Sequence, residues 1–191
     1  MRLQRIFLGS IVGIFAVAAL GYCCGGYGGG GNLNDYLAKD GKLKERLTLE
    51  IGQKDGNKGC EKYSVTVLVI EPSGAWTQQT RWTTWLIGET TPVAKGQLNQ
   101  QQRAALARHL ATQDLQGLPA RLSAGSEPIG LGVWKLEFGK KSSKLETAAV
   151  NLADAAPPGE VRAGEWSRFV ALTLVLEDMC KRTKVEPKKD Q

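Results

Sequence analysis

The feature that most constrains the fold is one helical stretch, residues 96–119, which lies between segments with strand patterns. Asn99 can accept a hydrogen bond from the free amides of the first turn, and Gln102 completes a capping box three residues later. Gly117 and Pro119 prevent the helix from continuing past this point. The stretch therefore predicts one helix with a defined beginning and end.

The apolar face of this helix is narrow. At about 100° per residue, its apolar side chains share one arc, formed by Leu106, Ala107, Leu110 and Ala111. Because so narrow a stripe cannot form a core alone, we expect the helix to lie on a sheet. His109, the only histidine, lies at the edge of the stripe, and we interpret it as a surface or boundary residue.

Alternating apolar and polar residues predict strands on both sides of the helix. The predicted strands cover residues 47–51, 63–70, 75–87, 133–138 and 144–152, the last two forming a hairpin. Two segments between them, residues 52–59 and 121–132, are predicted loops.

Tryptophans in the third strand leave two interpretations open. Trp76 and Trp82 share one face with Gln78 and Thr80, whereas Trp85 lies on the opposite face. Aromatic strand residues usually pack inward beneath a helix. If exposed, they would instead indicate a binding surface.

A second amphipathic helix is predicted from Gly164 or its neighbour to Arg182. Its apolar arc consists of Trp166, Phe169, Val170, Leu172, Thr173, Leu176, Met179 and Cys180. Together these elements predict an α+β domain over residues 43–183, in which two helices pack on an antiparallel sheet of four or five strands.

The beginning of the chain has the pattern of an export signal. Arg2 and Arg5 precede an apolar run over residues 6–21, which predicts a signal peptide or an N-terminal membrane anchor. Cleavage after Gly21 is one outcome. Lipidation of Cys23 is another, since residues 20–23 are similar to a bacterial lipobox, with Tyr22 where a small residue is usual.

Glycines and charges define the two ends. Residues 22–42, with six glycines between positions 25 and 31, predict a flexible tether, and residues 184–191 predict a disordered basic tail. Of the formal net charge of +6, most lies in the leader and in residues 181–191 rather than on a folded face. This distribution argues against nucleic-acid binding.

The cysteines suggest a disulfide. Cys60 precedes the second strand, and Cys180 lies on the apolar arc of the second helix. In an exported protein such cysteines are expected to be bridged, so we predict a Cys60–Cys180 disulfide. Closing a loop of about 120 residues would contribute about 4–5 kcal/mol in the chain-entropy model.

The sequence contains no recognisable catalytic or cofactor motif. One histidine and an adjacent pair, Cys23 and Cys24, do not have the spacing of a zinc site. Residues 139–142 lack the arrangement of a phosphate loop, and residues 130–132 lack the third glycine of a dinucleotide fingerprint. We therefore predict no enzyme activity, cofactor or metal.

The order of these parts resembles emfourin-type proteins. The resemblance covers residues 47–180 and is carried by Gly96–Asn99 opening the helix, Leu106 and Leu110 within it, and residues 114–119 closing it. These proteins are small bacterial inhibitors of thermolysin-type metalloproteases, alongside many exported proteins of the same layout. Residues 52–59 match the family's first loop only in composition, so the resemblance assigns no inhibitory residues.

These observations predict an exported, membrane-tethered or secreted binding domain without catalysis. We expect a monomer. Its partner would be a protein of the cell envelope or an extracellular protease. The protease would be inhibited by occlusion through a loop such as residues 52–59 or 121–132. The resemblance implies the inhibitor-like form. The alternative is a structural or assembly lipoprotein of the cell envelope, which would contact the membrane through its N-terminal segment or a lipid.

Overall fold

A computed structural model describes residues 30–55, 62–83, 88–122, 132–147, 152 and 163–184. This part of the chain contains seven strands and two α-helices. They are β1 (Leu47–Asp55), β2 (Lys62–Ile70), β3 (Ala75–Thr83), β4 (Gly88–Thr90), β5 (Ala94–Gln97), α1 (Gln100–Thr112), β6 (Gly132–Phe138), β7 (Lys141–Thr147) and α2 (Ala163–Arg182).

The strands form one antiparallel sheet in the order β4-β3-β2-β1-β6-β7, with β5 also paired to β3. The predicted α+β class, antiparallel sheet and two helices are confirmed. The predicted count of four or five strands is wrong, because β4 and β5 also join the sheet. These strands have only three and four residues and include Gly88 and Gly96, so they show too little alternation to be recognised.

Register divides the sheet into two faces. The face beneath the helices, which we call the helix-side face, includes Leu49 on β1, Leu68 on β2 and Leu136 on β6, all buried and aligned across the strands. Both predicted apolar arcs are buried or partly buried against this core. The alternation along β6 puts Trp134, Leu136 and Phe138 on this face, and all three are buried.

Helix α1 begins as predicted and ends earlier. The Asn99 and Gln102 side chains form the full capping box, each accepting a hydrogen bond from the other residue's backbone N–H. The helix stops at Thr112, and a short 3-10 turn over Leu115–Gly117 follows. The cause is Asp114, whose backbone is left-handed with φ 47° and whose carboxylate accepts a hydrogen bond from the Gly117 N–H.

The folded domain begins before the predicted boundary at residue 43. The Gly31 N–H donates a 2.9 Å hydrogen bond to the carbonyl of Ala111 at the end of α1. Tyr36 is fully buried, with its ring centroid 5.4 Å from that of Phe138. Residues 30–42, assigned above to a flexible tether, are therefore attached to the domain through the buried Tyr36 side chain.

Two strands have different limits from those predicted. Strand β1 continues to Asp55, so the first part of the predicted loop 52–59 is paired with β2. The hairpin turn consists of Gly139 and Lys140 alone, with Gly139 at φ 58°, and β7 starts three residues before its predicted beginning. The edge of β7 is partly covered, since Leu122 donates a backbone hydrogen bond to Lys144.

Candidate functional site

The helix-side face changes from apolar to polar along the strands. Three rows of aligned residues cross β3, β2 and β1 in this region. They are Gln78–Leu68–Leu49, Thr80–Thr66–Ile51 and Trp82–Ser64–Gln53. Polar side chains replace leucines toward the last row, in which Ser64 is buried and Trp82 is exposed.

A cleft of about 160 Å³ lies where the C-terminal half of α2 meets these rows. We call it the α2 cleft. It is lined by Leu49, Ile51, Gln53, Thr66, Leu68, Gln78, Glu177 and Lys181. The sheet supplies an apolar floor and polar side chains, and the helix supplies one acid and one base.

Glu177 is the distinctive group of the α2 cleft. Its half-buried carboxylate makes no hydrogen bond or ion pair with any residue that the structure describes. Burial raises the pKa of Glu177, and the positive charge of Lys181 opposes that rise only in part. The neighbouring Asp178, in contrast, is exposed and forms an ion pair of 2.9 Å with Arg182.

The sheet offers further hydrogen-bonding groups beside Glu177. The hydroxyls of Thr66 and Thr80 lie 2.8 Å apart and share one hydrogen bond. Within the described ranges, the Gln78 side-chain amide has no hydrogen-bond partner. The α2 cleft therefore presents an unpaired carboxylate together with amide and hydroxyl groups that can bind a polar ligand.

Trp82 lies on the same face in the outermost of the three rows. Its side chain is 38% exposed, and its strand partner on β4 is the exposed Glu89. Trp76 is buried in the core, as expected of aromatic strand residues that pack inward, whereas Trp82 is exposed at the surface. Trp85 lies outside the described residues.

The sequence-predicted disulfide residues are not part of the α2 cleft. Cys180 has a free thiol, is 2% exposed and points into the core. Burial raises the pKa of the Cys180 thiol to about 12, which keeps it protonated at neutral pH. Cys60 and the possible lipidation site Cys23 lie outside the described residues, so the disulfide and the lipidation stay predictions.

His109 is half-buried, so of the two interpretations, surface or boundary residue, the structure supports the second. Its Nε2 atom lies 3.2 Å from the carbonyl oxygen of Ala171, and so the ring joins α1 to α2. Burial lowers the pKa of His109, although this hydrogen bond acts in the opposite direction. The His109 ring therefore takes part in a contact between α1 and α2.

Most of the predicted occluding loops falls outside the described residues, namely 56–61 and 123–131. In the parts of the chain that are described, no group of three acidic, histidine or cysteine residues is arranged to hold a metal ion. Neither described helix is long and apolar enough to cross a bilayer.

Sequence reasoning missed Glu177, although a signal was present. On a helix, residue 177 lies only about 40° from Thr173 and about 60° from Cys180, both on the apolar arc. An acidic residue so near a buried stripe indicates a carboxylate that is partly desolvated. Recognising the α2 cleft also required knowing which strands pass beneath this turn of the helix.

Comparison with known proteins adds no relative. No family model matches the chain, and no curated protein matches it.

Proposed function

We propose that this protein is a non-catalytic binding domain that acts outside the cytoplasm and docks a protein partner on its helix-side face. The docking surface consists of Trp82, Glu89 and the α2 cleft. The observation that carries the proposal is the exposure of Trp82 on the same face as the unpaired carboxylate of Glu177.

An exposed tryptophan is a typical anchor for protein binding. Tryptophan is enriched among the residues that dominate binding energy, because a large rigid ring buries much area at small entropic cost. Strand β3 pairs with β2 through the row of Trp82, and this pairing fixes the backbone position of the residue. Export, inferred from residues 1–21, puts the partner in the cell envelope or beyond it.

Site-specific photocrosslinking in cells tests this surface. A photoreactive phenylalanine at position 82 is expected to capture one envelope or extracellular protein. The same group at Tyr63, which is 47% exposed on the opposite face of the sheet, is the matched control. Absence of a product at position 82, or the same product at both positions, would contradict the proposal.

The captured protein is then purified and titrated with the full-length chain. Replacing Trp82 by Ala is expected to weaken binding by about 2 kcal/mol or more, which is the loss expected of a dominant interface residue. Replacing Tyr63 by Ala should leave the affinity unchanged. An equal loss for both variants would mean that the domain does not use the helix-side face.

The inhibitor-like form of the proposal is tested separately. We propose it on the resemblance to emfourin-type proteins, and it requires that a stoichiometric amount of the protein reduce hydrolysis by a thermolysin-type protease. No effect at large excess would exclude the inhibitor-like form and leave the binding proposal in place. Capture of an envelope protein instead of a protease would favour the structural or assembly lipoprotein.

A further inference from the structure

We propose that the α2 cleft receives an arginine side chain of the partner protein, with its guanidinium group bound to the carboxylate of Glu177. This inference rests on the proposed binding function and specifies the chemistry that the helix-side face recognises.

The size of the α2 cleft fits a single side chain. Pockets for small-molecule ligands typically measure about 300–1,000 Å³, and this cleft has a volume of about 160 Å³. Leu49, Ile51 and Leu68 form an apolar floor on which the methylene groups of a long side chain can lie. The polar side chains of Thr66, Gln78 and Glu177 line the same cleft.

The charges around the α2 cleft favour a cationic group as its ligand. Glu177 has no ion-pair partner among the described residues, and the exposed Glu89 adds a second negative charge on the same face of the sheet. Lys181 lines the cleft and repels a cation, but its side chain is exposed to solvent and forms no ion pair with Glu177. A bound cation would give the half-buried carboxylate the partner that it lacks.

Hydrogen bonding favours arginine over lysine. A guanidinium group has five N–H donors in a plane and can bind a carboxylate through two of them. The remaining donors would face the side-chain oxygens of Gln78 and Thr66, which lie with Glu177 around the cleft. Trp82, one row further along the sheet than Thr66, offers an aromatic ring to the same segment of the partner.

A direct test titrates the full-length chain, purified in detergent, with N-acetyl-arginine methylamide and follows backbone amide resonances by NMR. We expect saturable shifts at Gln78, Glu177 and Lys181. The neutral citrulline analogue has nearly the same shape, and it should bind at least about tenfold more weakly. Equal binding of the two compounds, or shifts spread evenly over surface carboxylates, would overturn the inference.

Three variants locate the interaction. Glu177→Gln keeps the size of the side chain and should weaken arginine binding at least about tenfold. Asp178→Asn removes a charge one residue away on the exposed side and should leave binding unchanged. Lys181→Met removes the repelling charge and should strengthen binding. Arginine binding unaffected by Glu177→Gln would overturn the inference even if binding itself occurs.

The chain's own C-terminal residues are a competing occupant, since residues 185–191 include Lys188 and Lys189. A chain that ends at Lys184 should bind the arginine derivative as the full chain does. If it binds at least about tenfold more tightly, the cleft is already filled by the tail and the partner is not its occupant.

The two proposals can fail separately. If crosslinking at position 82 captures a partner and the arginine derivative does not bind, only the arginine inference falls. If the arginine derivative binds at Glu177 and no partner is captured at position 82, the docking surface around Trp82 is rejected.

Discussion

The indole N–H of Trp76 donates a 2.8 Å hydrogen bond to the hydroxyl of Thr183, which lies 107 residues later in the chain. This bond attaches the C-terminal end of α2 to β3. Gly96 lies beside it, and a Cβ atom there would come within 2.5 Å of the Trp76 ring and 2.2 Å of the Thr183 carbonyl oxygen. Only glycine fits this position, so β3, β5 and the end of α2 are packed as one unit.

Replacing Thr183 by Val should lower the free energy of unfolding by about 1–3 kcal/mol, because the buried indole N–H would lose its acceptor. Urea unfolding measures this difference. Thr112→Val is the matched control, since Thr112 is exposed at the end of α1 and should change stability by less than about 0.5 kcal/mol. Equal effects of the two substitutions would mean that the Trp76 bond contributes nothing.

Tyr36→Ala should lower the free energy of unfolding by about 3–5 kcal/mol, the usual cost of deleting a buried aromatic ring. This result is expected if Tyr36 attaches residues 30–42 to the core. Leu33 is 37% exposed in the same segment, and Leu33→Ala should cost less than about 1 kcal/mol. Small losses for both variants would restore the interpretation of residues 30–42 as a tether.

Glu177→Gln should stabilise the protein at neutral pH. Because burial raises the pKa of Glu177 above its ordinary 4.5, the folded state keeps a proton that the unfolded chain has released. The stability gained in this way is complete below about pH 4.5 and is lost as the pH rises through the folded-state pKa. Urea unfolding at pH 7 should therefore favour the variant, and the advantage should be smaller at pH 4.

Asp178→Asn is the control for this measurement, because it removes a carboxylate that is paired with Arg182 at the surface. It should not raise stability at pH 7. If Glu177→Gln destabilises the protein at pH 7, its carboxylate has a partner in solution, and the description of the α2 cleft fails.

His109 should make the protein less stable in mild acid. Its pKa is lowered by burial from the ordinary 6.5, so the unfolded chain takes up a proton before the folded state does. The stability that depends on the neutral ring is complete above about pH 6.5 and is lost as the pH falls through the folded-state pKa. His109→Gln, which keeps an N–H donor, should flatten this dependence in unfolding measured between pH 7.5 and pH 5.

The predicted Cys60–Cys180 disulfide can be tested by alkylating denatured, unreduced protein isolated from its natural compartment. Peptide mapping should then find both cysteines unlabelled. In Cys60→Ala and Cys180→Ala variants, the remaining member of the pair should become labelled. Labelling of both cysteines in the natural protein would reject the disulfide and agree with the free thiol of Cys180 in the structure.

Local sequence signals were sufficient to predict the limits of an element where that element was long and regular. The capping box of Asn99 and Gln102 gave the start of α1, and periodicity over 20 residues gave both limits of α2 within one residue. Strands β4 and β5 were missed because three or four residues are too few to show an alternation of apolar and polar side chains. Asp114 was missed because the left-handed conformation of a residue other than glycine depends on its later contacts.

The site was harder to predict than the fold. Trp82 was singled out, but the sequence left its exposure open, since the same alternation puts Trp76 and Trp82 on one face. Their different burial depends on how far the helices extend over the sheet. Glu177 and Gln78 become neighbours only through the packing of α2 on β3, and their distance in the sequence does not indicate it.

The point where the chain enters the domain lies far from the α2 cleft. It enters at Gly31, next to the last turn of α1, where Asp114 is paired with Arg168 near the start of α2. From Arg168 to Lys181 the helix rises by about 20 Å, and the α2 cleft lies at that distant end. An anchor ahead of Gly30 would therefore be attached at the end of the domain opposite the α2 cleft, which would leave Glu177 accessible to a partner.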